Sequence, residues 1–460
     1  MMATHYTRRQ IMQLAALAGG VWLVPRPIAP TTGTIPTRPA EQCLVAAPAL
    51  FDLAATVEAL SITFYYTAIT TSNGFFANLP TALQRYLRVT LDEERVHYDL
   101  LVGRYNASPS NTTFYFPATL FEFGQFGQFL SVMEQFEQQT VALYLAAIRQ
   151  IDGAEAPVTA AVFAQLAGSE AEQRTMSREM AQNGPPAPNN FCFESADLIC
   201  AENAIQLVAT FLQGGPDFSG PFALPSPATI DAAVGTSNCV EVATASAATC
   251  AETLETILQL AAAAEALGIT FYYEGIRGGF FAGLPDAQQW YLQAALDEER
   301  NHLDFLMAHG AAAPPAHFFF PAGLFADLDA FLGQLDLLEN IFIGAYLAAI
   351  QRLRQLGEPL LAEVAAQILG VEAEHRVLGR VMAGAALPSD RSLAATRYSC
   401  LSEALDELAP FLAGNANYRE RIAVPDATEI DAAVDRFGCT PVPTASIPPA
   451  LYLPIITGGQ

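Results

Sequence analysis

The heptapeptide Leu-Asp-Glu-Glu-Arg-Val-His at Leu91–His97 returns with a single change at Leu296–His302, and a recurrence over so long an interval marks a duplicated unit. Other landmarks repeat with it. Leu53–Leu60 and Leu260–Leu267 each end in Glu-Ala-Leu and lead, one residue on, into Ile-Thr-Phe-Tyr-Tyr. A Gly-Phe-Phe-Ala-x-Leu-Pro turn occupies Gly74–Pro80 and Gly279–Pro285, and Ile-Asp-Ala-Ala-Val begins at Ile230 and Ile430. The chain must therefore build one architecture twice, and its 460 residues are enough for two full cores.

Within the repeated heptapeptide, Glu94 and His97, like Glu299 and His302, stand three residues apart. On a helix of about 3.6 residues per turn they leave the same face, so a carboxylate and an imidazole can converge on one metal ion. Helix is the expected state throughout. Apolar residues make up 52% of the chain, much of it alanine and leucine with few β-branched runs, and no strand-alternating pattern competes.

In order, each copy reads as four helices. The first places one glutamate, Glu58 or Glu265, among apolar neighbours, where a carboxylate is costly to bury without a partner. Glycine and proline in the following turn stop it and start the second helix, which carries the heptapeptide. A longer connection, Tyr105–Pro117 or His309–Pro321, is rich in proline and aromatics and can cross the length of a bundle. The third helix carries Glu137 or Glu339, each seven residues before Tyr144 or Tyr346, and the fourth carries Glu170 with Gln173 or Glu372 with His375. A further helical segment follows near Phe211 and Phe411.

The net charge of −25 comes with 22 cationic residues, all arginine, and no basic run beyond the first nine residues, which argues against nucleic acid as a partner. Thr7-Arg8-Arg9 followed by the apolar stretch Leu14–Val24 resembles a twin-arginine export signal, and the stretch is too short to span a bilayer. The cysteines fit an oxidising destination. Cys43 and Cys250, Cys200 and Cys400, and Cys239 and Cys439 occupy equivalent positions, while Cys192 has no counterpart. Bridges Cys200–Cys239 and Cys400–Cys439 are the expected connectivity, leaving at least one thiol over.

Collected by helix, the second copy offers Glu265, Glu299 with His302, Glu339, and Glu372 with His375. One glutamate from each of two helices and Glu-x-x-His from each of the other two is the ligand pattern of ferritin-like di-iron and di-manganese bundles. Over residues 45–185 and 252–385 both halves resemble ferritin-like domains, and the export signal makes the chain similar to secreted bacterial ferritin-like and desiccation-related proteins. The resemblance implies an all-α fold of two tandem four-helix bundles, each with a C-terminal extension. The expected layout is a signal over 1–30, a flexible lead over 31–44, one unit over 45–242, a second over 246–441 and a proline-rich tail over 442–460.

It also implies two iron or manganese ions in the second half. The first half has Glu58, Glu94, His97, Glu137 and Glu170, but Gln173 where histidine is expected, so its site is degenerate. Paired ions would react with small oxidants, dioxygen or hydrogen peroxide, in ferroxidase or peroxide-consuming chemistry outside the cytoplasm. The alternative is a structural, stress-protective envelope protein that keeps metal for stability and self-associates through its proline-rich ends. Tyr65, Tyr272, Tyr144 and Tyr346 read as core or as tuners of the site, Arg174 and Arg376 as partners of the carboxylates or as surface residues, and His309 and His317 as solvent-facing.

Overall fold

The computed structural model describes residues 43, 47–181, 191–195, 198, 200–235, 239, 242–385, 387, 389–434 and 439; the expected signal and proline-rich tail lie outside them. The first half packs α1 (Ala47–Thr70), α2 (Thr81–Tyr105), α3 (Phe126–Gln150) and α4 (Ala156–Ala181) into a bundle. Short helices α5 (Ala204–Leu207), α6 (Ala209–Gln213) and α7 (Pro227–Val234) form its extension. The second half repeats the plan with α8 (Leu254–Arg277), α9 (Asp286–Ala308), α10 (Leu328–Leu356) and α11 (Pro359–Met382), followed by α12 (Ala404–Ala413) and α13 (Ala427–Val434).

Local chemistry sets the helix ends. Thr253 caps α8 by accepting from Thr256 N at 3.2 Å, and Asp327 caps α10 by accepting from Ala330 N at 2.9 Å. Gly357 closes α10 at φ +80°, a left-handed turn that costs glycine little, and Pro359 starts α11. Inside each bundle the Phe of Ile-Thr-Phe-Tyr-Tyr stacks on a third-helix phenylalanine: Phe64 on Phe129 and Phe271 on Phe331, each pair with centroids 4.5 Å apart. Among the described residues, α8 is the one helix long and apolar enough to cross a membrane by length and composition, and it is mostly buried in the second bundle.

Two strands per half depart from the all-helical reading. In the long connections, β1 (Thr113–Pro117) pairs antiparallel with β2 (Phe218–Ala223) of the extension, and β3 (His317–Pro321) pairs with β4 (Tyr418–Ala423). Their period of two sends Phe114, Phe116, Phe318 and Phe320 into the core, an alternation too short to stand out among so many aromatics.

The halves join along α4 and α11, with α3 and α10 beside them. Buried almost all round, α4 and α11 carry interior charges that pair across the junction in a reciprocal way. Arg174 binds Glu374 and Arg376 binds Glu172; the Arg376 Nε–Glu172 Oε1 distance is 2.9 Å. These arginines are neither surface residues nor partners of the proposed ligand glutamates. Gly168 and Gly370 thin the central helices at the junction: a Cβ on Gly168 would lie 2.9 Å from Leu369 Cδ2, and one on Gly370 would collide with Glu194 Cγ.

The disulfides correct the expected connectivity. They are Cys43–Cys200, Cys250–Cys400 and Cys192–Cys439, and Cys239 is not disulfide-bonded. The first two are equivalent, each tying the start of a unit to the segment after its bundle. The third joins the first half's segment to the end of the second unit, so the cysteine without a counterpart serves a link that has no symmetric twin.

Candidate metal centres

Each bundle brings its helix-borne carboxylates to one buried point. In the second half Glu265 comes from α8, Glu299 and His302 from α9, Glu339 from α10, and Glu372 and His375 from α11. Every one of these side chains is at most 1% exposed. Glu265, Glu299, His302 and Glu372 offer ligand atoms within 4.8 Å of one another, and so do Glu299, Glu339, Glu372 and His375. The two tetrads share Glu299 and Glu372, with Glu265 and His302 at one end of the cluster and Glu339 and His375 at the other. His302 Nδ1 lies 3.2 Å from Glu265 Oε2 and 3.6 Å from Glu372 Oε1, while His375 Nδ1 lies 3.2 Å from Glu372 Oε2 and 3.5 Å from Glu299 Oε1.

Several of these oxygens lack a hydrogen-bond donor: both of Glu299, Glu339 Oε2 and Glu372 Oε1. Buried, unpaired carboxylate oxygens cost several kcal/mol each unless a cation or proton meets them. Burial pushes Glu299 and Glu372 well above the usual carboxylate range, and neighbouring carboxylates add to it. Burial acts on Glu265 in the same direction but is outweighed by His302, Glu299 and Tyr346, which leave it below that range. A donor set of four carboxylates and two imidazoles fits two divalent cations in charge and in ligand type.

Tyrosines brace the ligands from across the bundle. Tyr272 of α8 donates to Glu339 on α10 at 2.5 Å, and Tyr346 of α10 donates to Glu265 on α8. The first half repeats this with Tyr65 to Glu137 and Tyr144 to Glu58. The seven-residue spacing of tyrosine and glutamate therefore serves an exchange between helices, not contacts within one.

Outer partners hold the imidazoles, and sequence reading missed them. His375 Nε2 lies 2.8 Å from Glu298 Oε2, the residue just before Glu299 in the repeated heptapeptide. Its position in the repeat was the available signal. His302 Nε2 donates to the backbone carbonyl of Cys192 at 2.7 Å, and His97 Nε2 to that of Ser392 at 2.6 Å. Cys192 follows the first bundle and Ser392 the second, so each half orients the other half's histidine. A backbone carbonyl from a distant segment leaves no mark in sequence. A carbonyl or carboxylate on the outer nitrogen fixes the ring and presents Nδ1 to the metal side.

In the first half, Glu58, Glu94, His97 and Glu170 offer ligand atoms within 4.8 Å of one another, with His97 Nδ1 2.9 Å from Glu170 Oε1. Glu137 lies beside them, and Gln173 stands in the place of His375, its Nε2 donating to Glu93 Oε2 at 3.3 Å and its Oε1 accepting from Tyr65 at 3.5 Å. His309 and His317, half-buried, lie apart from both clusters: His309 stacks on Phe305 at 4.0 Å, and His317 meets Arg421 at 3.0 Å.

A search of curated proteins and a search of solved structures each returned no match. A family model described as the ferritin-like domain matches residues 48–183 and 254–384, which together exceed half the chain and coincide with the two bundles. Two matched regions, each enclosing one buried carboxylate and histidine cluster, place the chain in the ferritin-like domain family.

Proposed function

We propose that this is an extracytoplasmic di-metal carboxylate protein whose second half holds two iron or manganese ions and reacts with dioxygen or hydrogen peroxide, as a ferroxidase or a peroxide-consuming oxidoreductase. The observation that carries this reading is the pair of tetrads sharing Glu299 and Glu372 in a fully buried site. Glu265 with His302, and Glu339 with His375, would complete the two ligand sets. A bound pair would supply redox equivalents to a small oxidant. The chain's own residues keep water out, set the imidazole orientation through Glu298 and the Cys192 carbonyl, and hold protons at the tyrosine hydroxyls that face Glu265 and Glu339.

The setting is argued from two features. Three disulfides suit an oxidising compartment, and the paired arginines at Arg8 and Arg9 before an apolar run support twin-arginine export, a route that carries folded proteins. A folded passenger would leave the cytoplasm with its metal already inserted.

A second reading rests on the reciprocal hold of His97 by Ser392 and His302 by Cys192. Metal at either centre would then pin both halves, which suits a stress-protective protein that uses metal for stability without turnover. The test is transition-metal analysis of the native protein, followed by anaerobic loading with ferrous ion and exposure to dioxygen or peroxide. Fewer than one bound ion per chain would sink both readings. Bound ions that neither oxidise nor consume peroxide at a measurable rate would favour the stabilising role.

A further inference from the structure

We propose that the first half is a single-ion site, a mononuclear divalent-cation centre built by Glu58, Glu94, His97 and Glu170, so that the fully loaded chain carries three ions and not four. The inference rests on the two-ion reading of the second half only for its total; the first-half ion stands on its own residues.

The four side chains come from α1, α2 and α4, are fully buried, and converge within 4.8 Å. Six of their polar atoms make no well-formed hydrogen bond: Glu58 Oε2, both oxygens of Glu94, both oxygens of Glu170, and His97 Nδ1, which lies 2.9 Å from Glu170 Oε1. Buried carboxylates and an imidazole that converge on one point with so few partners are what a cation would satisfy. Three carboxylates and one imidazole suit a hard or borderline divalent ion such as manganese or ferrous iron.

Two separate departures from the second half remove the other ion's place. Gln173 stands where His375 stands and is occupied by hydrogen bonds to Glu93 and Tyr65, so no nitrogen ligand completes a second tetrad. The second departure lies on the first helix of each bundle. Gly268 faces one of the two carboxylates that the second half's tetrads share: a Cβ there would fall 2.6 Å from Glu299 Oε2 and 2.7 Å from its Cδ. The matching residue of the first half is Ser61, buried at 2% exposure. A serine Cβ at the matching position takes up room that Glu299 has in the second half, which disfavours the same placement for Glu94. Accordingly, Glu299 belongs to two clusters and Glu94 to one.

The halves are thereby specialised. A lone ion cannot share a two-electron step with a neighbour, so any chemistry that needs paired ions would fall to the second half. Because His97 is oriented by Ser392, filling the first centre also ties the second half's trailing segment into place.

The experiment is anaerobic titration of the intact, disulfide-bonded chain with manganous ion alone, read by bound ions per chain and by electron paramagnetic resonance. The expected result is three ions: one isolated-ion signal and one spin-coupled pair. Glu94→Gln and His97→Asn should each reduce the count to two and erase the isolated-ion signal while the coupled signal stays. Glu299→Gln should remove the coupled signal and leave the isolated ion. The double variant Ser61→Gly/Gln173→His should raise the count towards four and convert the isolated signal into a second coupled one. Circular dichroism and the disulfide count verify folding for each variant. Only two ions in the unaltered chain with both retained in Glu94→Gln, or four ions in the unaltered chain, would overturn the proposal. An isolated ion present without any coupled pair would uphold it while defeating the two-ion reading of the second half.

Discussion

At the residue scale, glycine is as informative as the ligands. Gly268 has no side chain because the Glu299 carboxylate occupies the space a Cβ would need, 2.6 Å away. Gly268→Ala should leave the helix intact, since alanine is the better helix former, yet displace Glu299 and lose at least one of the second half's ions. Metal analysis checks this, and unchanged occupancy would show that Glu299 tolerates the shift. Arg174 and Arg376 supply the stability counterpart. Each guanidinium is about fully buried against carboxylates of both halves, and removing one leaves Glu374 or Glu172 uncompensated. Arg174→Ala should cost about 3–5 kcal/mol in denaturant unfolding of the metal-free chain. The ligand glutamates were legible in sequence because a duplicated chain shows each one twice at matching helical positions. The role of Arg174 was not, because the repeat says nothing of which faces the two copies turn towards each other.

At the element scale, the segment after each bundle matters most. Residues 191–195 and 389–395 cross to the opposite half, where Glu194 and Ala394 hydrogen-bond with Gln367 and Gln165, and where Cys192 and Ser392 hold the histidines. Sequence reading placed the extensions but read them as stapled within their own unit. The cysteine repeat is equally compatible with Cys43–Cys200 and Cys250–Cys400, which the fold adopts, and spacing alone cannot choose between them. Cys192–Cys439 anchors the segment that orients His302. Cys192→Ser should lower stability by about 2–4 kcal/mol and weaken ion binding in the second half more than in the first. Thermal melts and separate titration of the two centres check it; equal weakening of both would mean that the bridge acts only on global stability.

At the scale of the whole molecule, the fold stores more carboxylate than it can ionise without a cation. Burial lifts Glu93, Glu94, Glu170, Glu299 and Glu372 well above their ordinary range, with Glu137 pushed up to about 7 and Glu194 to about 8. Burial opposes the charge on His97, but Glu58, Glu94 and the Ser392 carbonyl outweigh it and raise it to about 9. All these groups bind protons more tightly folded than unfolded. Their contribution is therefore present at low pH and lost as pH rises through about 7 to 9. Glu265 has the opposite sign, but its effect falls below the ordinary carboxylate range and outside this window. The metal-free, disulfide-intact chain should melt several degrees lower at pH 9 than at pH 5.5, and metal should reverse the trend, because cations compete with those protons. A melting temperature that rises with pH without metal would contradict this.

The bundle order, the four-helix plan and the inequality of the halves follow from the sequence, whereas their joining does not. The pseudo-symmetric junction depends on buried charge pairs and on backbone carbonyls, whose positions exist only once both bundles are folded. The central claim concerns the second bundle, where two tetrads share Glu299 and Glu372. Anomalous diffraction from crystals loaded anaerobically with manganese or iron tests it most directly. Two peaks about 3.5–4 Å apart, one near Glu265 and His302 and the other near Glu339 and His375, are the predicted result. A single peak, or none, between α8, α9, α10 and α11 would contradict it.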